Sequence, residues 1–210
     1  MQSEEGRELY GAWAERWPSD AAELLDGYSG SWWIGGSWAI GAATGIERPR
    51  TDIDIVIPRS ELSLLRGWLG GRWQLWSAFQ GALKPLRPHD SDVLPIGTTS
   101  IWLRRSAYGQ WEYEILLDPS DTESWRFRRD TAVTMPLDDA LFEKDGIRYA
   151  KPQIVLAYAA AERADVSWLE DALPALDDEA RAWVIERLAD DHPWRQRLSA
   201  SPDAVPSPIP

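Results

Sequence analysis

Between Trp32 and Ile57 the residue order leaves few folds open. Trp32-Trp33-Ile34 is a short apolar run, and Gly35-Gly36 follows it. Ser37 to Ala43 then reads as a helix ended by Gly45, and Asp52 to Ile57 as a strand stopped by Pro58. Strand, glycine turn, helix and strand in that order predict an α/β (α+β) domain. In the second strand, alternate residues face opposite ways, so Asp52 and Asp54 share one face and Ile53 and Ile55 the other. Two carboxylates so close repel unless a cation neutralises them. A hard divalent ion such as Mg²⁺ suits them, because its remaining positions take phosphate oxygens and water. Gly35 and Gly36 lack Cβ atoms, so their backbone N–H groups can approach a phosphate ahead of a helix starting near Ser37. The pattern predicts a metal-and-phosphate site whose ligand is a nucleoside triphosphate.

Composition narrows the partners. The net charge is −12, which argues against general affinity for nucleic acid, since that needs a basic face. With no Cys, neither a disulfide framework nor a zinc–thiolate site is open to the chain. Gln2-Ser3-Glu4-Glu5 after Met1 offers no signal-like segment, and no apolar run is long enough to span a bilayer. A cytoplasmic protein without membrane partners is expected; the oligomeric state is left open.

Helical spacing of Leu9, Ala12, Trp13 and Trp17 predicts a helix from Glu4 to Trp17, followed by a short one from Ser19 to near Gly27. Ser60 to Leu69 reads as a helix and Arg72 to Phe79 as a strand. The segment holding Pro85, Pro88 and Pro95 reads as an irregular loop. Ser100 to Arg104 and Trp111 to Leu117 predict a strand pair joined around Gly109, and Trp125 to Arg129 a short edge strand. An acidic stretch leads from Pro136 to Gly146. Helices are expected at Gln153 to Ala164, Ser167 to Leu173 and Asp177 to Asp190. The expected division is a mixed-sheet domain over residues 1–150, a smaller helical lobe over 151–198 and a disordered Pro-rich tail over 199–210.

The string WWIGGSWAIGAATGIERPRTDIDI resembles the opening motif of nucleotidyltransferases of the DNA polymerase β superfamily. It is most similar to the aminoglycoside 2''-nucleotidyltransferases and lincosamide nucleotidyltransferases. Later blocks look like the same family: IWLRR from Ile101, WEYEILL from Trp111, WRFRRD from Trp125, DGIRYAKPQIVLAYAA from Asp145 and HPW from His192. The resemblance covers most of residues 30 to 198. It implies a nucleotidyltransferase-type sheet flanked by helices. It also implies that Asp52 and Asp54 bind two catalytic Mg²⁺ ions, that a later strand supplies a third carboxylate, and that Ser37 with Gly35 and Gly36 holds the triphosphate.

Glu112 and Glu114 alternate with Tyr113 and Ile115, so either acid can serve as the third. Family register, with an acid about three residues after a Trp, favours Glu114. Arg48 and Arg50 precede the carboxylates and suit triphosphate charge. Arg104, Arg105, Arg126, Arg128 and Arg129 read as surface charges balancing acids such as Asp121 and Glu123. The implied reaction moves a nucleoside monophosphate from a Mg²⁺-bound triphosphate, ATP in the first instance, to a hydroxyl of a small molecule; an aminoglycoside-like antibiotic is one candidate acceptor. Gln153 and Ala159 stand where the family carries Glu and Lys. Two alternatives therefore stay open: a weakly catalytic nucleotide-binding regulator, and a toxin–antitoxin type transferase.

Overall fold

The computed structural model describes residues 9–46, 53–161 and 166–200. Its elements are mixed α/β. Ten strands, β1 (Trp33–Ile34), β2 (Asp54–Pro58), β3 (Gln74–Phe79), β4 (Ala82–Pro85), β5 (Ser100–Arg104), β6 (Tyr113–Asp118), β7 (Ser124–Arg126), β8 (Thr134–Pro136), β9 (Leu141–Lys144) and β10 (Ile147–Ala150), form two sheets. The larger has the order β4-β3-β5-β6-β2-β1-β10-β9, and β7 pairs only with β8. It is mixed as expected: β2 runs parallel to β6 and β1 to β10, while the other neighbours are antiparallel.

Alternation along the central strands separates a dry face from one that carries acidic side chains. Ile55, Ile57, Ile101 and Ile115 have no exposed surface, and Ile53 and Leu117 very little. Each such side chain adds about 2 kcal/mol of burial, which ties the register of β2, β5 and β6 to the core. Asp54 and Glu114 point the other way, half-buried. Helix α1 (Pro18–Leu24) is tied to α3 (Leu62–Leu69) by the Trp68 indole N–H, which donates to the Leu24 carbonyl at 3.1 Å. Leu62, Leu65 and Leu69 are the buried positions of α3, at helical spacing.

Three expectations need correction, and one stretch gains elements that the sequence reading leaves unassigned. The helix through Trp17 does not form: past Tyr10 the backbone pairs with Trp111, Ala14 N–H donating to the Trp111 carbonyl at 2.7 Å and Trp111 N–H to Ala12 at 3.0 Å. A strand start with open hydrogen-bonding groups outweighs local helical spacing. Phe79 is not followed by irregular chain, because Gln80 and Gly81, both with positive φ, turn β3 back into β4. Trp125 joins no edge of the main sheet; it forms the ribbon β7–β8, closed by Phe127 N–H to the Val133 carbonyl at 3.0 Å. The acidic stretch after Pro136, to which sequence reading assigns no element, forms a short helix α4 (Leu137–Ala140) and the hairpin β9–β10, turned at Asp145-Gly146 with φ of 53° and 74°.

Contacts divide the described chain into two compact units. The first holds the sheet up to Ala150. The second takes α2 (Gly36–Thr44) from Ala39 onward and the chain from Lys151, with α5 (Pro152–Ala161), α6 (Val166–Ala172), α7 (Asp178–Ile185) and α8 (Trp194–Ser199). Helix α5 is nearly all buried and packs on α6 and α7. The Asp177 carboxylate caps α7 by accepting from Ala180 N–H at 2.8 Å, worth about 1 kcal/mol. Trp194 and Leu198 anchor α8, which sequence reading did not foresee. Among the described residues, no helix is long and apolar enough to cross a membrane.

Candidate functional site

The site is built on the parallel pair β2–β6. Asp54 lies directly opposite Glu114, and the dry-face neighbours Ile55 and Ile115 lock that register from behind. On its other side Glu114 faces Trp102 of β5, whose indole N–H donates to Glu114 Oε1 at 3.0 Å. Trp102 in turn faces Trp76 of β3. One face of the sheet thus carries Asp54, Glu114, Trp102 and Trp76 in a row across four strands.

The glycine turn meets this row at Asp54. Gly35 N–H donates to the Asp54 carbonyl at 2.9 Å, and a Cβ on Gly35 would stand 3.3 Å from Val56 Cγ2. Gly36 opens α2 with φ of 58°, and a Cβ there would overlap the Asp54 carboxylate at Oδ2. Both features demand glycine. The turn and first helical residues, including half-buried Ser37, therefore sit beside a carboxylate at the positive end of a helix.

Glu112 has a different fate from Glu114. It pairs with Arg16 at 2.5 Å and reaches Arg105 at 3.9 Å, with its side chain only 14% exposed. Burial pulls the Arg16 guanidinium down, but the Glu112 hydrogen bond with Tyr113, Glu112 and Asp20 nearby outweighs it and holds Arg16 above its ordinary value. Glu112 is thereby occupied in fastening the N-terminal segment to β6.

Of the residues singled out from sequence, Gly35, Gly36, Ser37, Asp54 and Glu114 lie in the first unit around this row. Asp52, Arg48 and Arg50 fall outside the described residues. Among the described residues no group of three or more acidic or imidazole side chains is placed to hold a metal. Asp54 and Glu114 are two hard oxygen donors on in-register positions of neighbouring strands, a donor set that fits Mg²⁺ and leaves room for further carboxylate, phosphate or water oxygens. Sequence reading missed Trp102 as a partner of the acid, because strand register is not visible in one sequence. It also reads Arg104 as a surface charge, whereas its guanidinium lies in the corner formed by the rings of Trp76 and Trp111, 4.7 and 4.5 Å from their centroids.

No protein-family model matches the chain, and no curated protein does. Several solved structures are similar, and those named here are nucleotidyltransferases. One is ANT(2'')-Ia in complex with adenylyl-2''-tobramycin, 14% identical over 83% of this chain and 92% of that one, with a TM-score of 0.47. Another is the solution structure of ANT(2'')-Ia, at 19% identity, 85% and 89% coverage and a TM-score of 0.46. A third is the lincosamide antibiotic adenylyltransferase LnuA, lincomycin-bound, at 11% identity, 82% and 96% coverage and a TM-score of 0.46. These likenesses are loose, and the functional reading rests on the residues above.

Proposed function

We propose that the protein is a nucleotidyltransferase that moves a nucleoside monophosphate from a triphosphate, ATP in the first instance, to a hydroxyl of a small molecule. The observation that carries this reading is Asp54 standing opposite Glu114 while Gly36 packs against the Asp54 carboxylate. Acid pair and phosphate turn meet at one point, and neither alone would indicate this chemistry.

In the proposed mechanism Asp54 and Glu114, with Asp52 from the preceding chain, hold Mg²⁺, which when bound neutralises triphosphate charge and favours ionisation of the acceptor hydroxyl. Backbone N–H groups after Gly36 and the Ser37 hydroxyl hold the leaving phosphates at the positive end of α2. Trp102 fixes one oxygen of Glu114, which leaves the other for the metal. The acceptor oxygen forms a bond to the α-phosphorus as the bond to the bridging oxygen breaks. Pyrophosphate leaves, and the hydroxyl proton passes to water.

The test is transfer of radiolabel from [α-³²P]ATP to a panel of hydroxylated small molecules, with Mg²⁺ or Mn²⁺. The wild type is expected to label an acceptor, and Asp54→Asn and Glu114→Gln to lose this by about a thousandfold or more while folding normally. Full activity in Asp54→Asn would falsify the assignment.

A further inference from the structure

At the end of the sheet where β3, β4 and β5 meet, a cavity of about 760 Å³ is lined by Arg66, Trp73, Gln74, Trp76, Asp92 and Arg104, among others. This is the size of pocket that small molecules occupy. Its two arginines are in opposite situations. Arg66 is ion-paired with Asp92 and donates to the carbonyls of Asp90, at 3.0 Å, and Arg87, at 2.7 Å. Arg104 has no carboxylate partner among the described residues. Its Nε donates to Gln74 Oε1 at 3.3 Å, and its guanidinium carbon lies over both the Trp76 and the Trp111 ring, which stand at 84° to each other.

The nearby acids do not cancel that charge. Asp92 is engaged by Arg66, and Glu112 by Arg16 and Arg105. A guanidinium seated in the corner of two nearly perpendicular indoles, with its terminal N–H groups unengaged by the described residues, is a receptor for a carboxylate or phosphate, and the indoles suit a flat apolar body. Arg104 lies two residues along β5 from Trp102, which makes it the diagonal neighbour of Glu114, about 7–8 Å away between Cα atoms.

We propose that this cavity binds the oxyanion end of the acceptor, a carboxylate or phosphate on a flat body, whose hydroxyl reaches toward Glu114. The assignment of the anion to the acceptor rests on the transfer reading above; the preference for an anion does not. A polycationic acceptor and an anionic one differ in sign at this wall, so a charge series decides between them.

The experiment is ligand-observed NMR titration of the full-length protein, without metal or nucleotide, using 4-(hydroxymethyl)benzoate, its amide and 4-(hydroxymethyl)benzylamine. The benzoate is expected to bind about tenfold tighter than the amide, the worth of one charge-assisted hydrogen bond, and the benzylamine most weakly. Arg104→Gln should level the series. Arg104→Lys keeps the charge without the planar fork and should retain only part of the order, which serves if the Gln variant does not fold. Benzylamine binding as tightly as benzoate, an order unchanged in both variants, or no binding by any of the three overturns the proposal. Parallel titration with ATP and Mg²⁺ separates the two sources of anion: unchanged ATP affinity in Arg104→Gln assigns the site to the acceptor, and loss of ATP affinity alone overturns that assignment. Asp54→Asn should keep the benzoate preference while losing transfer, so failure of the transfer reading and failure of the anion site are distinguishable.

Discussion

Glu114 has a different neighbour on each side: Trp102 donates to its Oε1 at 3.0 Å from the antiparallel strand, and Asp54 stands opposite it on the parallel one. The indole is itself fixed by edge-on contacts with Tyr10, Trp13 and Trp111, at ring separations of 5.8, 4.9 and 5.4 Å. Replacing Trp102 by Phe keeps most of that packing and removes the donor. Transfer is expected to fall about tenfold and stability by about 1–2 kcal/mol, measured as kcat and urea midpoint. Trp102→Ala should cost about 3–5 kcal/mol, because a cavity opens as well.

Glu112 and Glu114 are two residues apart and separable by experiment. Glu112→Gln leaves Arg16 without its carboxylate, so we expect a loss of about 1–3 kcal/mol in stability with transfer retained at elevated protein concentration. Glu114→Gln should show the reverse, near-normal stability with transfer lost. Equal loss of transfer in both would place Glu112 in the machinery.

Gly36 and Gly146 both have positive φ, at 58° and 74°, but only Gly36 has an atom in the way of a Cβ. Gly146→Ala should cost about 1 kcal/mol through backbone strain alone. For Gly36→Ala, Asp54 must also move, so thermal unfolding should show a larger loss and Mn²⁺ binding, followed by electron paramagnetic resonance, should weaken well beyond any effect of Gly146→Ala.

The alkaline limit of stability should carry a signature of Tyr113. Burial pushes its phenol up to about 12, against the opposing pull of Arg16. Its folded value lies above the unfolded one of about 10, so this stabilisation is complete below about pH 10 and is lost as pH rises toward 12. Tyr113→Phe should flatten the fall in denaturant midpoint over that window, and an unchanged slope would remove Tyr113 from the account.

The central strands and the glycine turn were legible because apolar alternation and Gly-Gly before a helix are local signals. Asp54 and Glu114 could each be placed on a strand face, but not opposite one another, since pairing register depends on partners distant in sequence. The two missed hairpins are more instructive. Asp145-Gly146 is a strong turn signal, but the acidic residues around it mask the alternation of the two short strands it joins. Pro85 looked like a strand breaker, although proline is tolerated on an edge strand, which is where β4 lies. The N-terminal segment misled in the opposite way, its helical spacing of aromatics serving Trp102 and Trp111 instead of a helix.

Strand β1 is only two residues long, Trp33 and Ile34, and is clasped between β2 and β10. Ile34 pairs with Ile55 on one side and with Tyr149, near the far end of the first unit, on the other. So short a strand contributes too few contacts to persist by itself, and the glycine turn that follows has no independent scaffold. The glycine turn is therefore assembled from sequence-distant pieces, and a growing or truncated chain that stops before β10 would expose β1 as an open edge. Completion of the sheet is the event that sets the glycine turn in place.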